Sequence, residues 1–571
     1  MCARFVPNFT YDMNFFFILF ILTNLMCFSN EKSHDLGEVE FEEEKIVYFI
    51  KVWGFLKYYH PNVASGNYAW DQQFLTFLPE IERAAHKKEF SEIILNWING
   101  LGAIQDCNKC DKSKEREYFL ENFDLSWFNN QDYFEKQLVQ KLKFIEKNRH
   151  QGNNYYVEKQ NKIGNIVLKN EPFYNQIDYV YPTKKYRLLG LAKFWNTVEY
   201  FYPYKYLTNE DWDTVLKEMT PKFLNAQGVL DYHLAMAETV VKLNDTHASF
   251  YSTELSDYFG RKTLPIIIDE ISGNIVVSGY LNDSLANRND SKIGDVITKI
   301  DEQSLNDIKK LKYKYVHGSN SSAKYFHYGY VLFGSNKDSA FVEIERKGEK
   351  YTKMLGRYDY SFLLNSKSKD TMKFCEINKN ILYVNLKNIN FMDMKNVILK
   401  LKSKEALILD LRNYPKIIPY KLAQSLNKND DVFSKKIEPD LAYPGKFYWT
   451  KHKRINGAKN FYFNGKTVLL VNNRTHSRAE YVAMLLQTAD DVLTIGSQTS
   501  GADGDISKVE FLGYKSYMSG AGVFYPDKTP TQRMGIKIDK LIEPTILGLQ
   551  NGKDEVLEKA IEILTQQAVN F

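Results

Sequence analysis

The 571-residue chain is 44% hydrophobic and 25% charged, an ordinary folded composition that excludes disorder, collagen and coiled coil for most of its length. At about 150 residues per domain it holds three to four domains. Its 75 Lys and Arg against 70 Asp and Glu leave a net charge of +5 with no basic block, so nucleic-acid binding has no support.

The first element is an apolar run over residues 15–28, FFFILFILTNLMCF. It is shorter than the roughly 20 residues of a membrane span and fits the h-region of a signal peptide over 1–29, cleaved near Ser29. Met13 is an alternative start. The competing reading is an uncleaved N-terminal anchor, with membrane association. Cys27 follows Asn24-Leu25-Met26, a poor lipobox. Export to a periplasm, cell envelope or the exterior is therefore expected. Residues 30–45, with Glu38, Glu40, Glu42, Glu43 and Glu44, read as an acidic spacer.

An internal repeat follows. Residues 46–103 and 186–245 align at an offset of 142, with Trp53 on Trp195, Tyr58 on Tyr200, Pro61 on Pro203, Trp70 on Trp212 and Asp71 on Asp213. Each copy has apolar residues at helical spacing, a Pro break, then two more helical stretches. Residues 46–253 thus read as a duplicated helical region, with an unassigned insert at 106–185. The second copy ends Leu243-Asn244-Asp245-Thr246-His247, where the first has Gln105 in place of the histidine. His60 is matched by Tyr202 and reads as packing. Cys107 and Cys110 form a lone C-N-K-C. It lacks the second Cys/His pair of a zinc site and follows a helix end rather than opening a redox helix, so a local disulfide staple is favoured.

From residue 254 short β runs appear at 264–268, 274–277 and 339–345. Lys292-Ile293-Gly294-Asp295-Val296-Ile297 is a tight turn feeding a strand and resembles a PDZ domain, placed at 258–353. That resemblance implies a peptide captured as an added strand, its terminal carboxylate on backbone N–H groups. Pro265 has no N–H to give where that loop should lie, so a structural or lid role competes. After 370, apolar strands at 381–386, 406–411, 467–471 and 492–495 alternate with helices at 394–403, 416–427, 477–489 and 554–566. Such alternation indicates a largely parallel, covered sheet.

The chemistry concentrates at residues 472–480, where a strand ends, a polar turn follows and a helix begins. Ser477 stands at that helix start, beside free first-turn N–H groups able to stabilise an oxyanion. Ser477-x-x-Glu480 equally matches a capping box. The wider pattern bears on that choice. Thr475-x-Ser477-x-Ala479-Glu480, Asp410-Leu411-Arg412-Asn413-Tyr414, the 496–501 run GSQTSG, the 533–539 run RMGIKID, Pro544-Thr545 and the closing helix over 552–564 together resemble the C-terminal processing and tricorn-type serine peptidases, the PDZ-containing, tail-specific protease-like family.

The resemblance implies a multidomain α/β protein: helical region, PDZ-like β domain, then a catalytic core at 370–571 resembling the crotonase/ClpP-like fold. It also implies nucleophilic hydrolysis of peptides or unfolded polypeptides, with no metal or organic cofactor. One branch of the family activates its serine with a lysine, but Ala502 occupies that place here, and Lys508 is only near in sequence. The other uses a histidine ahead of the PDZ domain, as in Asp245-Thr246-His247. On that template Ser477 attacks, His247 takes and returns the proton, and Thr246 supplies a hydroxyl that orients it. The glutamate expected around 531–535 is Gln532. Glu480 serves site polarity or capping. The oxyanion donors are the Arg478 N–H and that of Asn413 or Tyr414, because Pro415 has none. Arg412 either holds a substrate carboxylate or makes a structural ion pair. His476 diverges from Ser477 by about 100° on a helix and reads as a rim contact for substrate.

A competing reading, supported by Ala502, Gln532 and the Asn413-Tyr414-Pro415 loop, is a catalytically silent relative that binds peptides or scaffolds a cell-envelope complex. A carbohydrate-binding surface rests only on the 39 Tyr and 37 Phe.

Overall fold

The computed structural model describes residues 32–110, 116–160, 164–365 and 371–566; the segment read as a signal peptide lies outside them. Among the described residues no helix is long and apolar enough to cross a membrane.

The stretch expected as an acidic spacer is instead the start of helix α1 (Lys32–Tyr59). Glutamate is a good helix former, and no proline between residues 32 and 45 breaks the helix that the repeat propagates, Gly37 being tolerated within it. Helices α2 (Trp70–Arg83) and α3 (Lys87–Gly100) complete the first copy. The second contains α4 (Lys184–Phe201), α5 (Trp212–Asn225) and α6 (Val229–Val241). Every residue of α4 from Arg187 to Phe201 is buried, the mark of a helix surrounded by protein.

Equivalent contacts recur in both copies. Trp53 Nε1 donates to Trp70 O and Trp70 Nε1 to Trp53 O, both at 3.2 Å. Trp195 and Trp212 exchange the same bonds at 2.8 and 3.1 Å. A buried indole needs such a partner, which explains why both tryptophans repeat. The copies also pair crosswise. Lys51 binds Asp213 at 2.5 Å, and its equivalent Lys193 binds Asp71, the equivalent of Asp213, at 2.8 Å. Tyr58 meets its own counterpart Tyr200, ring centroids 5.3 Å apart. These reciprocal pairs describe a pseudo-twofold between the copies. The rings that left a carbohydrate surface open are largely spent on this core.

Lys193 also contacts Glu171 of the insert, which Lys57 binds at 2.6 Å. Against its burial, Lys193 and Lys57 hold the Glu171 carboxyl down to about 2. Replacing Lys193 with Ala leaves Asp71 buried without its cation and Glu171 with Lys57 alone, and a loss of about 3–5 kcal/mol is expected. Thermal unfolding of K193A checks this; an unchanged midpoint would contradict it.

In the middle region β1 (Ile266–Ile271), β2 (Asn274–Tyr280), β3 (Val296–Ile300), β4 (Ser339–Arg346) and β5 (Glu349–Gly356) form an antiparallel sheet in the order β5-β4-β3-β2-β1. Helix α7 (Ser321–Phe333) packs on it close enough that a Cβ on Gly329 would stand 3.5 Å from Ile268.

The C-terminal core carries β6 (Phe374–Glu376), β7 (Ile381–Asn385), β8 (Ala406–Asp410), β9 (Lys466–Val471), β10 (Val492–Gly496), the hairpin β11 (Ile506–Glu510) and β12 (Lys515–Ser519), and β13 (Lys540–Leu541). Its sheet runs β6-β7-β8-β9-β10-β13, parallel except for β6. Alternate strand residues face opposite layers. Leu382, Leu407 and Leu469 pack under α8 (Phe391–Leu401) and α9 (Arg478–Leu486), while Ile381, Ile408 and Val468 pack under α10 (Glu555–Gln566).

A further antiparallel sheet escaped the sequence reading. Strand Asp431–Pro439 pairs with Phe447–Trp449 and Gly522–Phe524, and Tyr118–Phe119 of the insert extends it. The insert therefore ties the helical region to the core. Within it Cys107 and Cys110 are joined, Cα atoms 5.5 Å apart, and Arg149 donates to Cys110 O at 2.8 Å.

Candidate active site

Register brings the site together. Asp410 lies opposite Leu470, and Val471 opposite Gly496, so the loops leaving β8, β9 and β10 converge at the carboxyl ends of the strands. Ligands of open α/β sheets bind there.

Ser477 caps α9 with φ +52° and ψ −119°. Ordinary N-caps are extended. A non-glycine residue in the left-handed region stores about 1–3 kcal/mol of strain, which capping alone does not explain. Its N–H is shared between Ala502 O at 2.9 Å and Glu480 Oε2 at 3.2 Å.

Glu480 is completely buried and also accepts from Thr499 Oγ1 (2.6 Å), Gly501 N (2.7 Å) and Ala502 N (2.8 Å). It therefore fastens loop 499–502 beneath the serine as well as closing the box. Gly501 is required in that loop: its φ is +62°, and a Cβ would meet the Arg533 carbonyl carbon at 2.7 Å. Burial raises the Glu480 carboxyl to about 7, outweighing its four donors. Nearby Asp503 is pushed well above its ordinary value by burial and by Glu480.

Both groups have folded-state values above their unfolded ones. The stability they confer is complete below the ordinary carboxylate range and is lost as pH rises through the folded values, for Glu480 between about 4.5 and about 7. The melting temperature is expected to fall between pH 5 and pH 8, and less steeply in D503N. Parallel slopes in the two proteins would contradict this.

His247 follows α6 after a left-handed turn at Asn244 (φ +49°), and the chain then bridges β12 through Phe250 and Ser516. Its Nδ1 lies 2.9 Å from Ser519 Oγ. Asp245 accepts the Ser519 N–H (2.7 Å) and the His247 N–H (3.0 Å), with Oδ1 3.6 Å from His247 Nδ1. Nε2 is buried and has no hydrogen-bond partner among the described residues.

Thr246 does not orient this ring. Its hydroxyl bonds Ser319 Oγ at 3.0 Å and Ser500 O at 3.3 Å, and Gln532 Nε2 donates to Ser319 Oγ at 3.3 Å. Both residues serve to hold the 246–247 segment against loop 499–502, the same loop that receives the Ser477 N–H. The imidazoles of His247 and His476 are near enough to interact. Burial holds His476 below its ordinary value, and His247 lowers it further. His476 packs against Tyr414, ring centroids 5.0 Å apart, as a rim residue would.

No acceptor among the described residues takes the N–H of Arg478, Asn413 or Tyr414. The Arg478 guanidinium lies 5.3 Å over Tyr414 and donates to Lys416 O at 3.3 Å, pinning this loop to the start of α9. Arg412 is gripped by both Asp554 oxygens at 2.8 Å and by Asp410 at 2.6 Å. It makes the structural ion pair and is not free for a substrate carboxylate. Lys508 pairs with Glu510 at 2.7 Å and borders a separate cavity against the insert. A cavity of about 670 Å³ opens beside the site, between β1 and the turn after β9, where Asn473 donates to Asp269 at 2.6 Å.

Residues 380–546 match the peptidase family S41. The core is a family S41 peptidase domain, and the chain is a serine-type peptidase. Among solved structures the chain is similar to mature CPAF complexed with lactacystin (12% identity, TM-score 0.54, 68% of this chain and 99% of that one) and to mature CPAF alone (12%, 0.54, 68% and 98%). It also matches the photosystem II D1 C-terminal processing protease at 17% identity and TM-score 0.38, over 66% of this chain and 98% of that one. A search of curated protein sequences returns no match. The S41 match contains Ser477 and Glu480, whereas His247 comes from the helical region outside it. Sequence reasoning missed Ser519 and gave Asp245 no role. The adjacency of Asp245 to His247 was the available signal, whereas Ser519 arrives only through the β11–β12 hairpin.

Proposed function

We propose that the protein is an exported serine peptidase that cleaves peptides or unfolded polypeptides through Ser477 and His247. The observation that carries this is the strained serine after β9, set against the loop that also anchors the Thr246–His247 segment, with His247 Nε2 left without a partner among the described residues. In the reaction Ser477 Oγ attacks the scissile carbonyl and His247 Nε2 takes its proton. The N–H of Arg478, with that of Asn413 or Tyr414, stabilises the oxyanion. His247 returns the proton to the leaving amine, then activates the water that frees the acyl group.

The middle sheet with its packed helix supports a PDZ-like domain, and the covered parallel sheet supports a crotonase/ClpP-like core. The apolar run at 15–28 supports export. Incubation of an unfolded protein with wild type, S477A and H247A, read by mass spectrometry, tests the reading. Cleavage by wild type only is expected. Undiminished cleavage by folded S477A would overturn it. If export occurs through a signal peptide, the mature protein begins near residue 30.

A further inference from the structure

A catalytic imidazole gains from an acidic partner that fixes its tautomer and stabilises its protonated form. Gln532 is neutral and bonds Ser319 instead. We propose that Asp245 and Ser519 position His247, with Ser519 Oγ accepting the Nδ1–H and the Asp245 carboxylate holding both residues and stabilising the imidazolium. This rests on the Ser477–His247 reading above.

Three distances carry it. Ser519 Oγ is 2.9 Å from Nδ1, the Ser519 N–H is 2.7 Å from Asp245 Oδ2, and the His247 N–H is 3.0 Å from Asp245 Oδ1. The carboxylate is buried and spans the two residues that meet at Nδ1. The hydrogen bond at one ring nitrogen selects the tautomer at the other. A proton on Nδ1 leaves the Nε2 lone pair free, and Nε2 is the ring nitrogen with no partner among the described residues. During attack the Ser477 hydroxyl proton moves to Nε2 and Nδ1–H stays on the ring. The Nε2 proton then leaves with the amine.

Among the described residues the other groups facing this pair do not supply a negative charge. His317 is brought down to about 4 by burial, against the pull of Asp245, and is neutral near pH 7; Lys324 lies beyond it. Burial and Asp245 raise the Tyr202 and Tyr204 phenols well above their ordinary value, Arg533 lies past Tyr202, and His476 is held low.

The test compares pH profiles of kcat and kcat/KM for wild type, D245N, S519A and S519T, with S477A and H247A alongside. D245N is expected to lose about 10²- to 10⁴-fold in kcat with KM within threefold. Its ascending limb should move to lower pH, because an imidazolium deprived of its carboxylate gives up its proton more readily. S519A should lose about tenfold or more, and S519T should restore part of it. Nitrogen-15 spectra of histidine-labelled wild type provide a check independent of activity and variant folding: His247 should carry its proton on Nδ1. If S477A and H247A abolish cleavage while folded D245N keeps wild-type kcat and pH limb, the positioning pair is wrong and the Ser–His reading stands. A resting Nε2–H tautomer would also overturn the pair. Cleavage independent of Ser477 and His247 would overturn both.

Discussion

H247A is expected to lower kcat by at least about 10⁴-fold, with little change in KM or melting temperature. His247 is the base proposed for Ser477. Ala502 fills the position of a lysine, Lys508 is committed to Glu510, and His476 is turned onto Tyr414. Removal of the ring leaves Ser477, the proposed oxyanion donors and loop 499–502 in place, so the loss should fall on chemistry rather than on folding. Steady-state kinetics on a quenched peptide, beside a thermal melt, separates the two. A reduction below about tenfold in a folded protein would mean that another group takes the proton.

Glu480 should matter as much to stability as His247 does to rate. E480A removes the acceptor of the Gly501 and Ala502 N–H groups and of the Thr499 hydroxyl, all buried, and leaves the Ser477 N–H with Ala502 O alone. Stranding a buried donor costs about 1–3 kcal/mol, so a total near 3–5 kcal/mol is expected after partial relaxation. Activity should fall with it, because Ser477 and the Thr246–His247 segment both rest on that loop. Chemical denaturation and the kinetic assay check the pair of effects. A stable, active E480A would contradict the assignment of Glu480 as the fastener of the loop.

The architecture was legible in the sequence where one physical rule governed a long stretch. Strands β7 to β10 read as apolar runs because both faces of the parallel sheet are covered, and the repeat read through because paired tryptophans and crosswise Lys–Asp pairs fix the same residues twice. The Glu-rich stretch before residue 46 was misread because composition favoured a spacer, whereas its helix propensity and continuity with α1 prevailed. The sheet around Asp431–Pro439 was invisible because its strands come from three distant segments, including the insert.

The site divided in the same way. Ser477, Glu480 and the 413–415 loop proposed to supply an oxyanion donor lie on contiguous motifs, so the sequence alone singled them out. The surroundings of His247 could not be, because Ser519 and Ser319 reach them from separate domains. Local spacing suggested that Thr246, the neighbour of His247, would orient it. In the fold Thr246 turns to Ser319 and Ser500, and the hydroxyl at Nδ1 comes from a hairpin 272 residues further along.

The most direct measurement is covalent labelling of the folded protein with a serine-directed fluorophosphonate, mapped by tandem mass spectrometry in wild type and H247A. Near-stoichiometric modification of Ser477 in wild type, slowed by orders of magnitude in H247A, is predicted for a serine activated by that histidine. Modification of another residue, or of Ser477 at the same rate in both proteins, would contradict it.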